Sequence, residues 1–207
     1  MDNKEELLNK IIEIEWEMFE SVPNEGGKAA CQQDPKTFRI MRHSQGMSWS
    51  EDTLASYLND LQESDSYGGN LITEKYARMM QSTVPEQYER IKHLIPELSP
   101  EAIELVDKIT EISLEWEEAL SNKYPNIVQR GRPIRSSEDS PFATSVETYL
   151  RGELATYSQK TLSLYYEQVS RQKAENINGP EITLENMIKQ YGFKSLEEAN
   201  EKLNKQS

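Results

Sequence analysis

Three observations predict an all-α protein. Apolar residues recur at three- and four-residue steps along nearly every periodic stretch of the chain. Helix-start words such as Ser50-Glu51-Asp52-Thr53 and Ser99-Pro100-Glu101 precede such stretches. No alternating period-two run flanked by turn residues is present, so a substantial sheet is not expected. At 207 residues the chain can bury a real core as a single compact helical domain spanning 1–207.

Taken in order, Leu8, Ile11, Ile12, Glu15, Met18 and Phe19 fall on one face of a first helix from about Lys4 to Glu20, closed by Pro23-Asn24 and Gly26-Gly27. A second helix is expected from near Ser50, capped by Ser50 and striped by Leu54, Tyr57, Leu58 and Leu61, with Ser66-Tyr67-Gly68-Gly69-Asn70 breaking it. Short helices follow over Ile72 to Gln81 and Pro85 to Leu94. Ser99-Pro100-Glu101 then opens a long one, with Ala102, Leu105, Ile109, Ile112, Trp116 and Ala119 inward and a stop before Pro125. The longest candidate runs from about Thr144 to Glu175 on the stripe Leu150, Leu154, Tyr157, Thr161 and Leu164. Leu184 to Tyr191 and Ser195 to Asn204 close the chain, separated by Gly192 in an αL cap.

A weak internal echo runs through this order. Ile14-Glu15-Trp16-Glu17 returns as Leu114-Glu115-Trp116-Glu117, each copy ahead of a Pro-Asn pair, and Arg39 to Ser44 is echoed by Arg132 to Ser137. Duplication would divide the chain into pseudo-symmetric halves, 1–98 and 99–175, with a helical tail over 176–207; recurrence of short Glu-rich words by chance is the rival explanation.

Thirty-six acidic residues against 23 Lys and Arg give a charge of -13, which counts against a nucleic-acid partner, whose phosphates call for a basic face. No stretch approaches the roughly 20 apolar residues of a membrane span. An acidic start at Met1-Asp2-Asn3-Lys4-Glu5-Glu6 is unlike a secretory signal, and the single Cys31 suits a reducing compartment, so a cytoplasmic location is expected. With two His and one Cys, neither a metal site nor a cofactor is expected.

The charge is unevenly spread. Residues 24–45 carry Lys28, Lys36, Arg39 and Arg42 against Glu25 and Asp34, a balance of +2, while Lys123 to Ser137 carries Lys123, Arg130, Arg132 and Arg135 with no acid, a balance of +4. The remainder is then at -19. Both islands read as irregular chain containing glycine, in which guanidinium groups can grip a carboxylate or phosphate by paired hydrogen bonds. The alternative is that these arginines pair with surplus carboxylates on neighbouring helices.

Glu15 is the foremost carboxylate because it sits inside an apolar stripe, where burial raises its pKa unless a cation answers it. Glu153 and Tyr157 lie with Glu147 and Arg151 around Gly152, a position that admits a close helix or a ligand. Cys31, with Asp34 and His43, is a weaker nucleophile candidate. Trp16, Trp49, Trp116, Tyr149, Tyr165 and Tyr166 read as core and pocket wall.

The run Trp16, Asn24, Gly26, Gly27, Lys28, Ala29, Cys31, Gln32, Asp34, Thr37, Phe38, Ile40, Met41, Arg42, Ser44 and Gln45 resembles the N-terminal signature of a bacterial family catalogued as domain of unknown function 4125. The likeness extends over most of the chain, including Tyr191 to Ala199, and Lys28 stands where Arg is also usual. The resemblance implies a family and no activity, and it marks the segment as a site.

The expectation is therefore an enzyme acting on a small anionic metabolite of the amino or carboxylic acid type. Arg39, Arg42, Arg132 and Arg135, with Lys28 and Arg130, would hold the anion; Glu15 or Glu153 would move a proton; Asn24, Gln32, Asp34, Gln45 and Tyr157 would orient the substrate. A non-catalytic metabolite-binding or sensing module and an acidic protein-interaction domain are the alternatives, with homo-oligomerisation open.

Overall fold

Eleven α-helices are present among the described residues, which in the computed structural model are 3–24 and 27–205. They are α1 (Asn3–Glu20), α2 (Pro35–Gly46), α3 (Glu51–Ser66), α4 (Leu71–Thr83), α5 (Pro85–Ile91), α6 (Pro100–Lys123), α7 (Pro125–Val128), α8 (Val146–Leu154), α9 (Gln159–Ala174), α10 (Gly179–Gln190) and α11 (Leu196–Asn204). Short 3-10 turns cover Ala30–Gln33, Lys92–Leu94 and Ser136–Glu138. The fold is all-α, and the described residues form no strand. Glu25, Gly26 and the Met1-Asp2 start lie outside the described residues.

Side-chain caps define most helix starts. Ser50, Asn70, Ser99, Ser145, Ser158, Asn178 and Ser195 each accept a hydrogen bond from the backbone N–H three residues on. Two expected boundaries change for this reason. The helix expected over Thr144 to Glu175 is two helices: Ser158 caps α9 through Thr161, and its own N–H is satisfied by Asp60 on α3 at 3.0 Å. The chain can therefore turn at 155–158 without stranding a donor. Residues 35–46, expected to be irregular, form α2, because Asp34 accepts from Thr37 N at 3.0 Å and Pro35 occupies the first turn. The expected αL cap is present at Gly192, with φ of 88°.

The main core draws on α1, α3, α4, α6, α8 and α9, with Leu8, Leu54, Leu61, Ile109, Leu154 and Leu162 fully buried. A smaller cluster of Leu120, Tyr124, Ile188, Leu196 and Ala199 fastens α10 and α11 onto the end of α6. The main core thus crosses between the sequence halves 1–98 and 99–175. The two members of the echo have different surroundings: Glu15 is buried in the core, and Glu115 is exposed and paired with Lys173 at 2.5 Å. Helices α4 and α8 meet at Gly152, where a Cβ would fall 2.8 Å from Met79 Cγ and 3.1 Å from the Lys75 carbonyl oxygen. Gly152 is therefore the notch that lets α8 lie against α4.

Candidate functional site

Two charged assemblies flank α8, one in the interior and one at a surface cleft. In the interior, the helical spacing of α1 turns Glu15 inward, and α2 brings Arg42 to meet it. Arg42 Nε donates to Glu15 Oε2 at 2.7 Å, its Nη2 donates to Oε1, and Tyr57 OH donates to Oε1 at 2.7 Å. Arg42 Nη1 also donates to Gln45 Oε1 at 2.7 Å and to Glu153 Oε1 at 3.0 Å. Glu153 accepts further bonds from Tyr157 OH at 3.0 Å and Gln45 Nε2 at 3.1 Å, and its second oxygen lies 3.3 Å from Lys75 Nζ. Lys75 in turn donates to Tyr149 OH at 2.8 Å and lies against that ring.

This assembly is charge-balanced: Glu15 and Glu153 against Arg42 and Lys75. Burial alone would raise the Glu153 carboxyl, but Arg42 and Lys75 outweigh it and hold it well below the usual carboxylate range. Burial works against charge on Lys75 as well, and Tyr149 and Glu153 overcome it and keep the ammonium protonated. Burial and the charge of Glu15 push the Tyr57 hydroxyl up, and burial and Glu153 do the same to Tyr157. The void beside Glu15 and Arg42 is about 10 Å³, space for about one water. With its donors and acceptors matched and no room for a metabolite, the assembly acts as a charged structural core.

The remaining residues singled out in the sequence go to separate places. Gln32 is buried and staples the α1–α2 connection: its Nε2 donates to the carbonyls of Phe19 (2.8 Å) and Val22 (2.9 Å), and its Oε1 accepts from Asn24 Nδ2 (2.7 Å) and Ala29 N (2.9 Å). Asp34 is the α2 cap, and Lys28 pairs with Glu20 at the surface. Arg39 donates to Asn9, Arg130 to the Leu203 carbonyl, and Arg135 to Glu118. Arg132 donates to the Thr144 carbonyl at 3.1 Å and stacks 4.5 Å over the Tyr149 ring. The arginines expected around one anion thus face different neighbours. Cys31 is exposed; His43, its expected base, instead places Nε2 3.3 Å from the Glu5 carboxylate. Among the described residues no three His, Cys, Asp or Glu side chains come together to hold a metal ion.

The second assembly lies on the other side of Gly152, in a cleft of about 470 Å³, within the range of small-molecule sites. Its walls are Arg78 and Ser82 of α4, Tyr88 of α5, Ile103, Val106 and Asp107 of α6, and Glu147, Thr148 and Arg151 of α8, with Leu98 and Ser136 from the connections. Arg151 lies 2.5 Å from Asp107 and 3.6 Å from Glu147. Glu147 also accepts from Ser136 N at 2.9 Å; burial would raise its carboxyl, and Ser136 and Arg151 bring it below the ordinary value. Arg78 pairs with Glu74 and donates Nη2 to the Pro96 carbonyl at 2.8 Å, tying the strap after α5 to α4. Asp139 clasps the far wall by accepting from Ser82 Oγ at 2.5 Å, Ser145 N at 2.6 Å and Thr148 Oγ1.

Sequence reasoning grouped Glu147 and Arg151 with Glu153 and Tyr157 around Gly152 and missed Arg78, Ser82, Tyr88 and Asp107. These residues stand on three further segments, and no local spacing links them. In α5 and the 3-10 turn after it no residue is buried, and Tyr88 of α5 lines the cleft.

No helix among the described residues is long and apolar enough to cross a membrane. No curated protein and no solved structure matches the chain. The model of the family described as Protein of unknown function (DUF4125) matches residues 5–201, and the chain belongs to that family.

Proposed function

We propose that this protein binds a small anionic metabolite of the amino or carboxylic acid type in the cleft between α4, α6 and α8, as a recognition module without turnover. One observation carries this reading: a roomy concavity whose walls present two guanidinium groups, Arg78 and Arg151, with the acids that pair with them, beside apolar surface. Recognition is favoured over catalysis because the two glutamates suited to moving protons, Glu15 and Glu153, are enclosed with cations away from that space. A cytoplasmic setting belongs to the same reading and is supported by the single, exposed Cys31.

A thermal-shift screen of carboxylates, amino acids and phosphates tests it, with wild type beside Arg78→Ala and Arg151→Ala. Stabilisation in wild type that both variants lose supports the cleft as the site. If no compound raises the wild-type midpoint, or both variants respond as wild type does, the reading is overturned.

A further inference from the structure

We infer that the ligand of this cleft is a zwitterion, an α-amino acid with an apolar side chain, rather than a simple anion; the inference rests on the cleft being the binding site. Its lining sets Arg78 and Arg151 against Asp107 and Glu147, and Glu74, paired with Arg78, adds one further acid. A plain carboxylate entering beside Arg151 would compete with Asp107 and Glu147 and leave their charges without an answer. A zwitterion brings both halves. Its carboxylate replaces the acids around Arg151, and its ammonium gives Asp107 and Glu147 a new positive partner, so the groups of the opened pair each exchange one opposite charge for another.

The pair to be opened is accessible. The Arg151 side chain is 41% exposed and that of Asp107 56%, and pairs of that kind contribute little to stability. Arg78 is occupied through Nε and Nη2 by Glu74 and Pro96, which leaves Nη1 without a partner among the described residues. Between these polar groups lie Leu98, Ile103, Val106 and Ala155. Ile103 keeps nearly half its surface exposed, so an apolar side chain seated there removes exposed hydrocarbon from water.

Titration calorimetry with three probes decides the matter: leucine, its deaminated counterpart 4-methylpentanoate, and its decarboxylated counterpart isopentylamine. Leucine is expected to bind at least about tenfold more tightly than either half. Asp107→Asn should weaken leucine by about tenfold or more while leaving 4-methylpentanoate unchanged or tighter, because it removes a repulsive carboxylate. Arg151→Ala should weaken both acids. Circular dichroism melts of both variants check that the fold is retained.

If 4-methylpentanoate binds wild type as tightly as leucine, or Asp107→Asn binds leucine normally, the zwitterion inference is overturned and the cleft remains an anion site. If none of the three probes binds and the wider screen also fails, the cleft reading itself falls, and the inference with it.

Discussion

Two arginines, Arg42 of α2 and Arg151 of α8, have the same chemistry and opposite circumstances. Arg42 bridges Glu15 and Glu153, and Arg151 bridges Asp107 and Glu147. In the first set the side chains of the arginine and its two acids are 10%, 0% and 4% exposed; in the second they are 41%, 56% and 17% exposed. Burial determines what such a pair can do. In the interior, each charge has already lost its water, so removing one partner strands the others at a cost of several kcal/mol. At the cleft rim, water or a ligand can replace either partner with little change in free energy. One set therefore holds the helices together, while the other can be exchanged.

The strongest way to break this comparison is Arg42→Ala, which leaves two buried carboxylates facing one lysine. It should cost about 3–5 kcal/mol in urea denaturation; a loss under about 1 kcal/mol, the scale of a surface pair, would mean that the interior set is no different from the exterior one.

Gly152→Ala attacks the notch shared by both assemblies. Its Cβ would press on Met79 and on the Lys75 carbonyl, and destabilisation of about 1–3 kcal/mol is expected, measurable as a lower thermal midpoint.

Two desolvated acids, Glu153 with cations and the partly buried Glu117 without one, should give opposite pH dependences. Glu153, held low in the folded protein, contributes stability that is present above its ordinary value of 4.5 and is lost as pH falls through its folded pKa. On α6, burial without a cation pushes Glu117 up to about 7 from 4.5. Its folded pKa is the higher one, so stability declines as pH rises across that window. Glu117→Gln should remove a decline on the order of 1–3 kcal/mol between pH 5 and pH 8, read from paired urea titrations. An unchanged decline would show that Glu117 titrates normally.

The smallest effect is expected from Arg135→Ala. Its bond to Glu118 resembles that of Arg42 to Glu15 but is about half exposed, and the change should stay within about 1 kcal/mol. A larger loss in urea denaturation would mean that exposure does not rank these pairs.

Much of the scaffold was legible because its signals are local. Ser99 and Pro100 announce α6, and the stripe from Leu8 to Phe19 announces α1. Helix α2 was hidden although Asp34-Pro35 is a helix-start signal, because the glycines and amides just before it and its own bases resemble a binding loop. The break at 155–158 was obscured because Tyr157 and Thr161 continue the apolar rhythm of α8, and the Asp60 that stabilises the turn lies on α3. Periodicity singled out Glu15 as a carboxylate in need of a cation, but not which arginine would supply it. The cleft had no such signal, since Arg78, Asp107 and Arg151 are brought together only by tertiary packing.

The response of Arg151→Ala to leucine tests the division between fixed and exchangeable pairs most directly. Without ligand, its unfolding free energy should lie within about 1 kcal/mol of wild type. With leucine at a concentration that saturates the rise in the wild-type midpoint, the variant's midpoint should not move. A variant that is severely destabilised without ligand, or one that leucine stabilises as fully as wild type, would contradict the account.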